Sequence, residues 1–384
     1  MLRPMEPRAM RSDVMGDFHE PYRASALLCV GIFPSVQVAR SERTQGGVVQ
    51  SRPHAGGLSD SIANIANEEA NMAEKGFVSY LSGKWVPRSE LKVDVADRGF
   101  RVGDTVFDVT RTFNGKSFML REHVDRLYRS LKYTRIDVNL SVDEMIAVTE
   151  DGLKRNSHML EKSGDFSIWH AITRGPGRWA HSSGPATVII DIGVNPWSWF
   201  TEHYRNGAHA VITKTRSYSA ETVDPKIKHH SRMNFNLAEL EAGDVDPKGW
   251  PVLLDSSGNL TEGVGYNVFL VTNGVIRTPG DSTILQGISR MAVQRLAKQL
   301  NMPIVEEELQ PYDLYTADEA FFSSTPLCVL PVTKVDKRQV GDGKVGPVTK
   351  QLLAAWSEMV GVDIVDQAER FVKTHPGNAA PGRF

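Results

Sequence analysis

Asp224-Pro225-Lys226-Ile227-Lys228 and Thr261-Glu262-Gly263 are the two stretches that decide how this chain reads. The first puts two amines just before a helical pattern in which Met233, Leu237 and Leu240 fall on one stripe. The second sets a carboxylate in a Gly-rich turn between two strand-like runs. An amine able to form a Schiff base and a carboxylate able to hold a ring nitrogen protonated are complementary groups for carbon–nitrogen chemistry. Lys226 and Lys228 are two residues apart, so on an extended segment both would face the same side. Periodicity does not choose between them.

Elements are dense on either side. Tyr80–Val86 reads as a hairpin turning at Ser82-Gly83 or Gly83-Lys84. Thr105–Phe113 is a β-rich run, and Asn114-Gly115 after it is a strong hairpin signal. A helix follows with Val124, Leu127 and Leu131 on one face, then strands at Phe166–Thr173 and Ala186–Val194. Asn195-Pro196-Trp197-Ser198-Trp199 breaks the pattern and reads as an interdomain link. Beyond it come strands at Ala208–Thr213, Pro251–Leu254, Val268–Thr272 and Val275–Thr278. A helix from Ile288 carries Val293, Leu296 and Leu300, and late strands at Ala320–Ser323 and Val329–Val335 precede a helix at Val348–Met359. The reading is α/β (α+β): a leader at 1–74 without periodicity, a smaller N-terminal α/β domain at 76–195, a larger mixed domain at 205–370, and a loose tail at 373–384.

Composition narrows the classes. The 384 residues are 41% hydrophobic and 23% charged, as in ordinary globular enzymes, with a net charge of −2 that gives nucleic acid no basic surface to bind. Cys29 and Cys328 are the two cysteines, too few for a disulfide framework. No apolar run reaches transmembrane length, and Ala26–Phe33 lacks the flanks of an export signal. A cytoplasmic protein free of membranes is expected. No Cys/His cluster has zinc spacing, so no metal is expected, and His229-His230 reads as local structure.

Anion-binding signals accompany the amine and the carboxylate. Gly287 stands directly before the helix at Ile288-Ser289, whose first N–H groups have no internal partner. Arg126, in Glu122-His123-Val124-Asp125-Arg126-Leu127, can hold two oxygens in fixed geometry. Ser323-Ser324-Thr325 ends a strand with hydroxyls.

These segments occur together in one order: Gly103–Asp108, Glu122–Leu127, Lys228, Thr261–Asn267, Leu285–Arg290 and Ser324-Thr325. In that order and spacing the chain resembles the class IV (fold-type IV) aminotransferases over residues 76 to 365. The group includes branched-chain amino acid, D-amino acid and (R)-amine aminotransferases and aminodeoxychorismate lyase. The resemblance implies pyridoxal 5′-phosphate as cofactor and a homodimer with active sites beside the subunit interface. It implies ping-pong transfer of an amino group from an amino acid, branched-chain by preference, or an amine to a 2-oxo acid. It makes Lys228 the Schiff-base lysine, because Leu237-Ala238 lies at the family's offset from it. It gives Glu262 the pyridine nitrogen and Asn267 the ordering of the turn around Glu262. Arg126, Gly287, the backbone of Ile288 and Ser289, Ser324 and Thr325 would hold the phosphate.

Substrate residues follow from the same resemblance. Phe107, Val109 and Arg111 alternate on one strand face that lines the substrate pocket in the family. Phe-Asp-Val-Thr-Arg is similar to the branched-chain pattern but has Val109 where glycine is common. In Thr173–His181, His181 keeps the place of a carboxylate-trapping histidine of the D-amino acid enzymes. Arg178 is displaced by one from the arginine of that trap, and Trp179 would narrow the pocket.

Overall fold

The hairpin and alternation signals assemble into two sheets. The computed structural model describes residues 76–376. The expected leader with Cys29, and the tail beyond 376, lie outside the described residues. The first sheet contains β1 (Val78–Leu81), β2 (Lys84–Pro87), β3 (Thr105–Phe113), β4 (Lys116–Ser117), β5 (Phe166–Thr173) and β6 (Thr187–Val194), in the order β2-β1-β6-β5-β3-β4. Its two tight turns are Ser82-Gly83 and Asn114-Gly115. All four residues have positive φ, the geometry that matches the twist of a two-residue hairpin.

Helices α1 (Leu120–Thr134) and α2 (Val142–Arg155) cover one face of this sheet. Val124, Leu127 and Leu131 meet Val106, Ile168 and Ile190 in one core cluster. Alternation along β3 therefore sends Val106 and Asp108 toward α1, and Phe107 and Val109 into a separate cluster with Ala171 and Ile189. The sequence reading missed α2. Its buried positions include Thr149 and Gly152, which carry no apolar periodicity, and its start is fixed by a capping box between Ser141 and Glu144.

The second sheet holds β7 (Ala208–Arg216), β8 (Trp250–Leu254), β9 (Leu260–Gly263), β10 (Asn267–Thr272), β11 (Val275–Pro279), β12 (Ile304–Glu307), β13 (Glu319–Ser324), β14 (Cys328–Val335) and β15 (Arg338–Gln339). Their order is β12-β11-β10-β13-β14-β7-β8-β9, with β15 on β14. β9 also pairs with β10 through Asn267 and Glu262, so six strands close into a ring. Phe269, Phe321, Phe322, Trp250 and Leu330 belong to its core, with Val293 and Leu296 of α4 (Ile288–Gln299) and Leu352 and Trp356 of α5 (Pro347–Val360).

Four expectations are corrected. Thr261-Glu262-Gly263 is strand β9, registered on β8 through Val252 and Leu254, and the turn lies after it. The helix after Lys228, α3 (Met233–Val245), buries Phe235, Ala238 and Ala242. Its predicted apolar stripe faces outward, with Met233 69%, Leu237 47% and Leu240 67% exposed. Small alanines let α3 approach the sheet closely, which decides the orientation against the larger side chains. The expected link at 195–199 is itself folded: Trp197–Phe200 forms a helical turn, and Trp197 packs on Phe371. The tail expected to loosen at 373 continues as α6 (Ile364–Thr374), and the His375 ring stacks on Phe371.

Among the described residues no helix is long and apolar enough to cross a membrane.

Candidate active site

The segment that carries the two lysines is a turn, and this separates them. Ile227 N–H bonds the Asp224 carbonyl, and the Asp224 carboxylate accepts from Lys226 N–H. Lys226 then points out to pair with Asp224 at 2.9 Å. Lys228 points in. Its carbonyl accepts from Phe107 N–H at 2.9 Å, and His230 N–H bonds Thr105 O at 3.0 Å, so residues 228–230 lie along the start of β3. The Lys228 ammonium sits over the Phe107 ring, 4.5 Å from its centre.

Lys228 opens into a cavity of about 690 Å³. Phe107, Val109, Arg126, Glu262, Asn267, Gly287, Ile288, Ser289, Ser324 and Thr325 line the same cavity. Eleven of the fifteen site residues read from the sequence therefore meet in one place. β3 and β9 supply them from the two sheets, and α4 supplies its N-terminus.

At one end, α4 starts at Gly287, and Met291 N–H is the donor that bonds back to Gly287 O. The N–H groups of Ile288 and Ser289 precede that first helical bond and are free to bind an anion. A Cβ on Gly287 would come within 2.0 Å of Asn267 Oδ1, so this approach requires glycine. In the lining of the same cavity, the hydroxyls of Ser323 and Ser324 are buried without a hydrogen-bond partner. Buried polar atoms are normally satisfied, so these two hydroxyls await an acceptor-rich ligand. The donor set suits a phosphate monoester.

Arg126 closes this end, but its role differs from the simple fork read from sequence. Its Nε and Nη2 are held by both oxygens of Asp108 at 2.8 Å, and Nη1 donates to Gln286 O at 3.0 Å. His123 Nδ1 lies 2.7 Å from Asp108 Oδ1. Burial alone would raise the Asp108 carboxyl, but Arg126 and His123 hold it well below the ordinary range. Asp108 thus fixes the guanidinium plane, and only the outer N–H groups of Arg126 remain for a ligand. Sequence reasoning did not single out Asp108 and His123. The available signal was an acid, Asp108, on the helix-facing side of an apolar strand and a histidine, His123, on the helix packed against it.

At the other end, Glu262 accepts from Leu285 N–H at 3.2 Å and Asn267 Nδ2 at 3.4 Å. Asn267 Nδ2 also donates to Leu285 O at 3.0 Å, so it orders the segment around the carboxylate. Burial raises Glu262 to about 7, opposed by Arg232, the Leu285 N–H, Lys228 and Arg126. Burial also pushes the Lys228 amine down to about 7, with Arg126 and Arg232 adding repulsion. A buried carboxylate at this position can hold a cationic ring N–H, and an amine brought down to about 7 is partly neutral at neutral pH and can act as nucleophile and base. His229 and His230 are pushed to about 4 by burial and then by Arg232 and Lys228, which keeps both neutral. His230 stacks on Trp169 and tilts against Phe107, a wall of the cavity that sequence reading assigned only to local structure.

Four expected substrate residues are not in this cavity. Arg111 is fully buried in the interior. It donates to the carbonyls of Thr112 and Pro326 and to Gln367 Oε1, and lies over the Phe113 ring at 4.0 Å. It ties β3 to the β13–β14 connection and to α6, because the cavity-facing side of β3 turns into the interior two residues after Val109. Arg178, Trp179 and His181 lie on an exposed loop of this chain, with Trp179 57% exposed. The Arg178 guanidinium stays over the ring of neighbouring Trp179, outside the cavity.

Residues 105–335 match the family model described as amino-transferase class IV. The chain belongs to the class IV aminotransferases. It is 36% identical over 298 residues to a Methanocaldococcus jannaschii protein assigned as a branched-chain-amino-acid aminotransferase, covering 75% of this chain and 99% of that one. It is 32% identical over 284 residues to D-alanine aminotransferase of Staphylococcus aureus strain COL, covering 73% and 97%. Among solved structures, Escherichia coli branched-chain amino acid aminotransferase is similar with a TM-score of 0.66 at 28% identity, over 74% of this chain and 95% of that one. A T.th. branched-chain amino acid aminotransferase complexed with N-(5′-phosphopyridoxyl)-L-glutamate is similar with a TM-score of 0.65 at 26% identity, over 78% and 97%.

Proposed function

We propose that this aminotransferase uses pyridoxal 5′-phosphate and moves an amino group between a branched-chain-type amino acid and a 2-oxo acid. The observation that carries this reading is the joint placement of Lys228, Glu262 and the phosphate-type cradle around one cavity. When bound, the cofactor supplies a carbonyl that condenses with amines and a ring that accepts electrons from the substrate carbon. Lys228 is the amine that would anchor it, and the same amine would move a proton to and from the reacting carbon. An amine near 7 can both take up and give back that proton at neutral pH. Glu262 holds the ring nitrogen protonated, with Asn267 as the residue that positions Glu262. The helix amides at Ile288 and Ser289, with Ser324, Thr325 and Arg126, bind the phosphate.

Phe107, Val109 and Trp169 give the cavity an apolar wall suited to an aliphatic side chain. The branched-chain relatives among both sequences and structures support that choice, and the D-alanine enzymes supply the alternative. We divide the described chain into a small lobe at 76–195 and a larger one at 205–370, with the cofactor between them. The outward stripe Met233, Leu237 and Leu240 supports a homodimer, since contiguous exposed apolar surface marks contact sites. Phe100 and Val102 are also exposed, on the segment that Ser231 bonds at Gly103 O. A cytoplasmic location fits the free thiol of Cys328.

A donor panel tests the reading. L-leucine, D-alanine and (R)-1-phenylethylamine are each supplied with 2-oxoglutarate or pyruvate, and product amino acid is measured. L-leucine should give the highest kcat/KM. Preference for D-alanine would overturn the substrate assignment. Pyruvate release from aminodeoxychorismate without an acceptor would identify a lyase.

A further inference from the structure

Three arginines line the cavity: Arg88, Arg126 and Arg232. Two of them are already committed. Arg88 is held by both oxygens of Asp191, at 2.8 and 2.9 Å, and Arg126 by both oxygens of Asp108. Arg232 is different. Its Nη2 donates to Val264 O, and it has no ion pair or hydrogen bond to a carboxylate among the described residues. The guanidinium lies over Phe235 at 4.1 Å and over Phe107 at 5.8 Å, the same ring that carries the Lys228 ammonium at 4.5 Å. Glu262 and Glu239 attract its charge.

We propose that Arg232 binds the carboxylate of the substrate, and so selects amino acids and 2-oxo acids over simple amines. This rests on the aminotransferase reading above and names the substrate class of that site. Four physical features support it. A planar guanidinium matches a carboxylate with two parallel N–H···O bonds. Most of its N–H groups remain unused once Val264 O is bound. The Phe235 ring lies 4.1 Å and the Phe107 ring 5.8 Å from the guanidinium, apolar neighbours that strengthen a charge-assisted bond. It shares Phe107 with Lys228, so the carboxylate would sit beside the amine that reacts with the substrate. The other two arginines cannot take the fork role without giving up a carboxylate they already hold.

The test compares 4-methylpentanoate with its neutral isostere 4-methylpentanamide, titrated into the holoenzyme and read by cofactor absorption and by calorimetry. Arg232→Gln should weaken the acid by about 10- to 100-fold, the range for losing a charge-assisted bond, and leave the amide unchanged. The KM for L-leucine should rise by a similar factor, and kcat/KM for L-leucine should fall more than kcat/KM for (R)-1-phenylethylamine. Arg232→Lys keeps the charge without the planar fork. It carries the test if the glutamine variant melts early, and it too should weaken the acid more than the amide. Equal loss of acid and amide, or no loss of either, overturns the proposal. A wild-type protein that binds the acid through Arg232 yet transfers no amino group would sink the aminotransferase reading and leave this one standing.

Discussion

Replacing Lys228 with methionine should stabilise the cofactor-free protein, and the gain should shrink as pH rises. The Lys228 amine titrates near 10.5 when unperturbed and at about 7 in the folded chain, where burial and the two arginines oppose its charge. Between those values the unfolded chain binds the extra proton, so stability rises with pH across that window. Below pH 7 the lysine carries its full penalty, and above 10.5 it carries none. A displacement of this size corresponds to about 5 kcal/mol at pH 6 and about 2 kcal/mol at pH 9. Methionine has similar length and no charge, so it removes the penalty without opening a cavity. For roughly 300 ordered residues, 5 kcal/mol is a rise in Tm of about 8 °C, and 2 kcal/mol about 3 °C. Calorimetric melts of cofactor-free wild type and Lys228→Met from pH 6 to pH 10 would read this directly. A variant less stable than wild type at pH 6, or a gain that grows toward pH 10, would refute the placement of Lys228 as a desolvated amine. The same variant loses transamination, and borohydride reduction of wild-type holoenzyme should label Lys228 and leave ion-paired Lys226 unlabelled.

Glu262→Gln should keep the cofactor bound but lower kcat by about 100-fold or more, because a neutral amide cannot hold the ring nitrogen protonated. Unchanged turnover would remove Glu262 from the site. In the cofactor-free state Glu262 binds a proton up to about 7 while the unfolded carboxyl loses it near 4.5. Its contribution is therefore full below 4.5 and lost as pH rises to 7, and the glutamine variant should show a flatter Tm profile over that interval. Gly287→Ala should weaken cofactor retention on dialysis by at least about tenfold, since the new methyl meets Asn267 Oδ1 at 2.0 Å; full retention would show that the cradle is not used. Light scattering should give a dimer for wild type, and Leu237→Glu with Leu240→Glu should shift it toward monomer; a wild-type monomer with full activity would dismiss the stripe as an interface.

The sequence by itself determined the parts whose signals are local. Asn114-Gly115 demanded a tight hairpin because two adjacent positive-φ residues suit little else. Val124, Leu127 and Leu131 fixed the buried face of α1, and the order of six short motifs pointed to one family. The candidate residues Glu262, Asn267, Gly287, Ile288, Ser289 and Ser324 were legible for the same reason: each sits at or beside a strand end or a helix start, where glycine, hydroxyl and charge have distinct local meanings. Only the tertiary structure decided which face and which partner. Phe107 and Arg111 share a strand face by period two, yet one lines the cavity and the other is buried against Pro326 and Gln367, because β3 passes from the site into the interior along its length. The stripe on α3 looked like core, but Ala238 and Ala242 pack closer than leucine can, and the larger residues were turned outward. Lys226 and Lys228 were inseparable by spacing, and the hydrogen bonds of a turn at Asp224 sent one to solvent and the other to the site. Arg232 was unreadable as a site residue in sequence. Its meaning comes from what its two fellow arginines already hold, and pairings across 18 and 103 residues exist only in the folded chain.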